Sequence, residues 1–153
     1  MFCVLCEKAK MKSVTLYCDG SSLGNPGAGG WCGILEFKST RKVISGGEAH
    51  TTNNRMELQA VISSLEALKE PCCVEIYSDS KYVCEGINVW LANWIAKDFA
   101  KVKNPDLWRR YIQVAQKHKI HATWVKGHSG IALNEECDKI AKQEAFKILE
   151  STK

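Results

Sequence analysis

The stretch Val14-Thr15-Leu16-Tyr17-Cys18-Asp19-Gly20-Ser21-Ser22 decides the fold class. Apolar residues occupy every second position up to Cys18, which is the pattern of a strand with one face in a core. The run then ends in Asp19-Gly20-Ser21-Ser22, residue types that favour turns. We therefore predict a first β-strand whose carboxyl end carries a carboxylate.

Periodicity and turn residues predict the remaining elements in the same way. Alternating apolar runs bounded by Gly, Pro or polar residues indicate strands, and apolar residues at helical spacing indicate helices. In chain order the predictions are a glycine-rich connector over Gly24–Gly30, hairpin strands over Trp31–Phe37 and Lys42–Gly46, a helix capped by Thr51-Thr52 and closed by Pro71, a strand over Val74–Tyr77, helices from Ser80 towards Asn88, over Trp90–Ala96 and over Leu107–His118, a strand over His121–Val125, and a last helix through Cys137 and Ile148. This order predicts an α/β fold.

Length and composition indicate one soluble globular domain. The chain has 153 residues, of which 45% are hydrophobic and 25% charged, and these values disfavour disorder and fibrous classes. We expect a short N-terminal extension over 1–11, a single domain over 12–148 and a C-terminal tail over 149–153. No apolar run approaches the about 18–20 residues of a membrane helix, so no membrane partner is expected, and a monomer is the default.

Cysteine usage and the N-terminus predict a cytoplasmic protein. The eight cysteines are expected to be reduced thiols, because a chain of this size can bury a core without a disulfide scaffold. The N-terminal residues lack a positive region and a small-residue cleavage site, which disfavours a secretory signal. Cys3 and Cys6 form a C-x-x-C that could be half a zinc site or a redox pair, but Cys72-Cys73 do not supply a second C-x-x-C.

Positive charge is concentrated in the second half of the chain. The segment from Lys81 to Lys126 contains nine lysines and arginines against three acids, with Trp90 and Trp94 interleaved. Basic residues mixed with aromatic ones suit a polyanionic partner with stackable surfaces. A solvated helix face whose tryptophans belong to the core is an alternative that this pattern leaves open.

Four carboxylates have positions that favour convergence. Asp19 and Asp79 end predicted strands, Glu57 lies in the first turns of a helix, and Asp138 lies near the start of the last helix. Neighbouring parallel strands would bring their ends together, and such a cluster repels itself unless divalent cations neutralise it. All-oxygen ligation suits Mg²⁺ or Mn²⁺. Singly, each acid could equally be a turn or helix-capping residue.

Five ordered motifs resemble those of ribonuclease H type 1, over about Lys12 to Glu144. They are Asp19-Gly20-Ser21 with Leu23-Gly24-Asn25-Pro26-Gly27, Thr51-Thr52-Asn53-Asn54-Arg55-Met56-Glu57-Leu58, Tyr77-Ser78-Asp79-Ser80, Trp124-Val125-Lys126-Gly127-His128, and Asn134-Glu135-Glu136-Cys137-Asp138. The resemblance implies a five-stranded mixed sheet of order 3-2-1-4-5 with helices on it. It also implies an endoribonuclease that hydrolyses the RNA strand of RNA–DNA hybrids, as in removal of RNA primers and R-loops.

The resemblance also implies roles for the acids and for one histidine. Asp19, Glu57, Asp79 and Asp138 would be the metal ligands, with Asp19 the bridging one. Two cations about 3.5–4 Å apart would activate water and stabilise the leaving 3′ oxygen, giving 5′-phosphate and 3′-hydroxyl ends. His128, in a Gly-His-x-Gly loop, resembles the family's proton-shuttling histidine. A histidine in such a loop could otherwise be a surface residue.

Substrate contacts are implied for a further set of residues. By resemblance they are Asn25, Thr52, Asn53, Asn54, Lys81, Trp90 and Asn134, where Thr52 resembles a phosphate-pocket residue and Trp90 the aromatic of the DNA channel. Asn53-Asn54 could instead be ordinary helix-entry residues.

The chain departs from the family pattern at three places. The basic protrusion over Trp90–Lys103 is shorter, Lys81 stands where glutamine is common, and Ile131-Ala132-Leu133 replaces His-Pro-x. The alternatives are another nuclease or transferase of this fold, which lacks the Thr51–Leu58 motif, and a module that binds hybrids without cutting them, which would be expected to have lost a carboxylate. None of the four is lost.

Overall fold

The computed structural model describes residues 11–127 and 131–151. Within these residues, five strands and five α-helices follow one another in the order expected from the sequence. They are β1 (Lys12–Ser22), β2 (Gly27–Phe37), β3 (Thr40–Thr51), α1 (Asn53–Glu66), β4 (Cys72–Ser78), α2 (Lys81–Glu85), α3 (Leu91–Ala96), α4 (Pro105–Ala115), β5 (Lys119–Trp124) and α5 (Ala132–Ser151), with a π-helical turn over Gly86–Trp90 between α2 and α3.

The strands form one mixed sheet in the order β3-β2-β1-β4-β5. The antiparallel pairs are β1 with β2 and β2 with β3, whereas β4 runs parallel to both β1 and β5. This confirms the predicted fold class and strand order. β1 is the central strand, and its carboxyl end lies beside that of β4, since Tyr17 is the register partner of Tyr77.

Helices cover both faces of the sheet. On one face, α1 buries Leu58, Val61, Ile62 and Leu65 in the main core, which Trp108 of α4 also enters. On the other face, α5 packs on β2 in a smaller core made by Cys32, Ile34, Cys137 and Ala141. Thr52 caps α1 by accepting a hydrogen bond from the Arg55 backbone N–H at 3.3 Å, as the sequence predicts.

The glycine-rich connector predicted before Trp31 is part of a strand. β2 already begins at Gly27, where it pairs with Thr51, and the ladder continues through Gly29 and Gly30. The segment was misassigned because glycine is rare in strands. Gly30 is required here because a Cβ at this position would overlap the backbone of Ala141 and Ala145 in α5.

Several helix boundaries differ from those predicted. α1 ends at Glu66 rather than near Pro71, and α4 ends at Ala115 rather than His118. α5 begins at Ala132, and Asp138 lies in its second turn, which agrees with the expected position near the start of the helix. Helix ends are the least determined part of an apolar pattern, because capping and tertiary packing set them more than periodicity does.

The cysteine prediction is correct for five residues and wrong for one. Cys18, Cys32, Cys72, Cys84 and Cys137 are free and buried. Cys73 is disulfide-bonded, which corrects the expectation of reduced thiols throughout. Composition does not reveal which thiols the fold brings within the about 5.5–6 Å Cα separation of a disulfide. The C-x-x-C of Cys3 and Cys6 lies outside the described residues.

In the described part of the chain, no helix is long and apolar enough to cross a membrane.

Gly20 sets the distance between β1 and α1. A Cβ at this position would overlap the backbone of Met56 and Glu57, so only glycine permits so close a contact. The contact places Glu57 beside Asp19, the residue that precedes Gly20 in β1.

We predict that Gly20→Ala lowers the free energy of unfolding by about 2–3 kcal/mol, because the methyl group forces α1 away from the sheet. Chemical denaturation measures this value. Gly24→Ala is the matched control, since its Cβ would lie 3.1 Å from the nearest atom, the Pro26 carbonyl oxygen, and a small shift relieves the contact. An equal loss in both variants would contradict the close packing at Gly20.

Candidate active site

Three carboxylates meet at the carboxyl end of the central strands. One ligand atom each from Asp19, Glu57 and Asp79 lies within 4.8 Å of the others. Asp19 is in β1, Asp79 directly follows β4, and Glu57 is in the second turn of α1. The parallel pairing of β1 and β4 brings the two strand ends together, and the contact at Gly20 adds the helix.

Asp138 lies against this cluster from the opposite side. It lines the same cavity as Asp19 and Asp79, together with Gly127 and Asn134. Its Oδ2 forms an ion pair with Lys142 Nζ at 3.0 Å, one turn further along α5. The structure therefore brings together all four acids named from the sequence, with Asp138 less tightly clustered than the other three.

Burial and mutual repulsion shift the acids towards protonation. Burial first, and then the charge of Asp79, raise the pKa of Asp19 from its ordinary 3.8 to about 7. The pKa of Glu57 is also raised, mainly by burial and then by the charge of Asp19. The ionised cluster is thus unfavourable without a compensating positive charge.

The donor set fits a divalent cation. Glu57 Oε2 is buried and finds no hydrogen-bond partner within the described residues, and the same is true of Asn134 Oδ1. Buried oxygens without a donor cost free energy, and a cation at the cluster would satisfy that of Glu57. Hard oxygen ligands from several carboxylates are the kind that Mg²⁺ and Mn²⁺ bind.

The N-terminus of α1 joins the β1–β2 turn next to the acids. Asn53 Oδ1 accepts a hydrogen bond from the Ser22 backbone N–H at 2.8 Å, and Asn25 Oδ1 accepts one from the Asn53 backbone N–H at 3.2 Å. Thr52 is the helix cap, and Asn54 is exposed in the first turn. These four residues, each named from the sequence, form one polar surface at a helix N-terminus, which favours anionic groups.

Of three other residues named from the sequence, Asn134 lines the cavity, whereas Lys81 and Trp90 lie outside its lining. Asn134 is held by its Nδ2, which donates to the Tyr77 carbonyl at 3.1 Å. Lys81 is the first residue of α2, and its Nζ lies 4.8 Å from the centre of the Trp124 ring. Trp90 is 47% exposed in the π-helical turn, so its contact with a partner stays a prediction, whereas Trp94 packs against Trp108 as the core interpretation expects.

His128 lies outside the described residues, so its predicted role remains a prediction. The sequence reasoning gave no separate role to Trp124, whose Nε1 donates to the Asp79 carbonyl at 2.9 Å. Its position near the end of the strand predicted over His121–Val125, and at the start of the motif Trp124-Val125-Lys126-Gly127-His128, was the available signal.

Comparison with known proteins identifies the family. The RNase H family model matches residues 11–146. The chain belongs to the ribonuclease H family. Ribonuclease HI of Helicobacter pylori (strain ATCC 700392 / 26695) is 56% identical over 142 residues, which cover 93% of this chain and 99% of that protein. Ribonuclease H of Sulfurovum sp. (strain NBC37-1) is 58% identical over 142 residues, or 93% of this chain and 97% of that one.

A solved structure supports the same assignment. The crystal structure of LC9-RNase H1, a type 1 RNase H with the type 2 active-site motif, superposes with a TM-score of 0.82 at 28% identity, over 90% of this chain and 74% of that one. The family and the fold predicted from the motifs are both confirmed, and the chain is an enzyme of the ribonuclease H family.

The repulsion among the acids predicts a more stable Asp19→Asn variant in metal-free buffer. The raised pKa means that native Asp19 binds more protons than the unfolded chain between about pH 4 and pH 7. Its contribution to the free energy of unfolding therefore decreases as pH rises through this window. We expect the free energy of unfolding of Asp19→Asn at pH 8 to exceed that of the wild type by an amount on the order of 2 kcal/mol.

Denaturation with chelator at pH 4.5 and pH 8 measures the effect. Asp106→Asn is the matched control, because the ion pair with Arg55 lowers the pKa of Asp106 and the variant gains no stability at pH 8. A less stable Asp19→Asn protein at pH 8 would contradict the repulsion.

Proposed function

We propose that this protein is an endoribonuclease that hydrolyses the RNA strand of RNA–DNA hybrids with bound divalent cations. The observation that carries the proposal is the convergence of Asp19, Glu57 and Asp79 within 4.8 Å, in a chain whose family membership is clear. The products are 5′-phosphate and 3′-hydroxyl ends, and the activity serves the removal of RNA primers and R-loops. Residues 12–148 form the working domain, which acts as a monomer.

The acids are the proposed ligands of Mg²⁺. Asp19 would be the ligand that the cations share, because its carboxylate interacts with those of Glu57, Asp79 and Asp138. Bound ions of this kind supply a water nucleophile near neutral pH and stabilise the leaving oxygen of a phosphodiester. Mn²⁺ has the same preference for oxygen ligands and is a substitute.

The chain's own residues orient the reaction and move protons. Asn134 lines the cavity with its amide held by the Tyr77 carbonyl, and this amide would orient a water or a substrate group beside the acids. His128 directly follows in sequence Gly127, which lines the cavity together with Asp79. The role proposed for the His128 imidazole is to carry a proton to or from the reacting oxygens near neutral pH.

The substrate-binding surface follows from the polar groups beside the acids. Asn25, Asn53 and Asn54 offer amide groups that contact the hybrid where ribose 2′-hydroxyls distinguish RNA from DNA. Thr52 binds a phosphate of the DNA strand at the N-terminus of α1. Trp90 stacks on the DNA strand from its exposed position, and Lys81 neutralises a phosphate near the site.

Cleavage of a labelled RNA strand tests the proposal. The strand is presented in parallel as RNA–DNA hybrid, as duplex RNA and as a single strand, with Mg²⁺, with chelator, and with Asp19→Asn as the matched variant. We expect cutting of the hybrid alone, its loss in chelator, and a decrease of about 10³-fold or more in Asp19→Asn, because one ligand of the reacting centre is gone.

Other outcomes would overturn the proposal in distinguishable ways. Hybrid binding without cleavage would indicate a binding module. Cutting of DNA junctions or of duplex RNA would leave the metal site in place and change the substrate.

A further inference from the structure

Trp124 is held at the edge of the acid cluster by two contacts. Its indole Nε1–H donates to the backbone carbonyl of Asp79 at 2.9 Å. The ring is 44% exposed, and Lys81 Nζ lies 4.8 Å from its centre, within the range of a cation–π contact. One side chain thus connects the end of β5 to the loop that carries Asp79.

The indole bond lies one residue beyond the regular sheet. The β4–β5 ladder ends where the Val125 backbone N–H donates to the Ser78 carbonyl at 2.9 Å. Asp79 is the next residue, and there the indole supplies a donor from a side chain where the ladder no longer does. Trp124 therefore extends the attachment of β4 to β5 to the first residue after the strand.

Asp79 depends on such an attachment more than the other acids do. Asp19 is within an eleven-residue strand and Glu57 within a fourteen-residue helix, so both backbones are fixed on two sides. Asp79 is exposed and lies in the short connection between the end of β4 and the helical segment that begins at Lys81. A backbone that rotates at Asp79 moves its carboxylate away from the other two, and metal affinity depends on ligand positions to about 0.2 Å.

Lys81 makes a second contact to Trp124. Its ammonium group lies over the ring, where a cation–π contact favours the observed ring position, and Lys81 is two residues from Asp79 in the sequence. Trp124 is thus linked to the Asp79 segment at two points. Its ring contacts Lys81, the first residue of α2, and its indole N–H donates to the Asp79 carbonyl.

We propose that Trp124 is a positioning residue, which holds the Asp79 backbone so that its carboxylate completes the divalent-cation site with Asp19 and Glu57. This inference rests on the proposed function and adds to it a residue that touches neither the cation nor the reacting atoms. It predicts that loss of the indole N–H weakens metal binding more than it weakens binding of the hybrid.

The test is calorimetric titration of the free protein with Mg²⁺. Trp124→Phe keeps an aromatic ring for Lys81 and removes the N–H, and we expect its Mg²⁺ affinity to fall about tenfold, as for loss of a group that supports a metal ligand. Trp31→Phe is the matched control, because this ring packs over Gly46 of β3 and no hydrogen bond of its indole is seen within the described residues. Its Mg²⁺ affinity should equal that of the wild type.

Hybrid binding in chelator and cleavage kinetics at saturating Mg²⁺ supply the second readout. We expect Trp124→Phe to retain its hybrid affinity and its KM within about twofold, and to regain most of its kcat as Mg²⁺ is raised. If the phenylalanine variant unfolds, 3-benzothienylalanine at position 124 removes the N–H alone while keeping the bicyclic shape, and the same tenfold loss is expected.

The outcomes separate this inference from the proposed function. Equal Mg²⁺ affinity in Trp124→Phe and Trp31→Phe would overturn the positioning role. Weaker hybrid binding with unchanged Mg²⁺ affinity would also overturn it, because Trp124 would then be a substrate contact. A wild-type protein that binds Mg²⁺ without cutting hybrids would refute the proposed function and leave the positioning role standing.

Discussion

The mutual repulsion of three carboxylates is the constraint on which the rest of the structure depends. Asp19, Glu57 and Asp79 place oxygen atoms within 4.8 Å of one another, and burial of the first two removes the water that would screen them. No local preference of the chain favours this arrangement, so tertiary packing must impose it. The raised pKa values of Asp19 and Glu57 are the sign of this cost, and they make the cluster a site for positive charge.

The fold imposes the arrangement through a few close contacts. Parallel pairing of β1 and β4 fixes the distance between two of the acids, and Gly20 lets α1 approach closely enough to add the third. Gly30 does the same for α5 on the opposite face, which brings Asp138 and Asn134 to the cavity. The two cores on either side of the sheet supply the apolar burial that offsets the repulsion.

Sequence reasoning succeeded where the pattern is local. The alternation that ends in Asp19, its repetition before Asp79, and the cap at Thr52 are all properties of a few adjacent residues, and the structure agrees with them. The family motifs, which are also local, identified the fold correctly. Placement of the acids in one cavity followed from the parallel strands that this fold requires.

The sequence-based predictions that were wrong or missing concern contacts between distant segments. The glycines of β2 resemble a loop unless one knows that α5 packs against Gly30, and the disulfide at Cys73 depends on a neighbour that spacing does not reveal. The bond from Trp124 to Asp79 spans 45 residues of sequence, and the residues around a tryptophan at the end of a strand do not reveal a distant acceptor. Such contacts are determined by tertiary packing, which a single sequence does not display.

The central claim is that the buried acids hold protons in the absence of a cation and exchange them for one. Mg²⁺ titrations at pH 7 in buffers of different ionisation enthalpy measure the number of protons released on binding. The account predicts net proton release by the wild-type protein, because the pKa of Asp19 is raised to about 7, and a smaller release at pH 9. Mg²⁺ binding without proton release at pH 7 would contradict it.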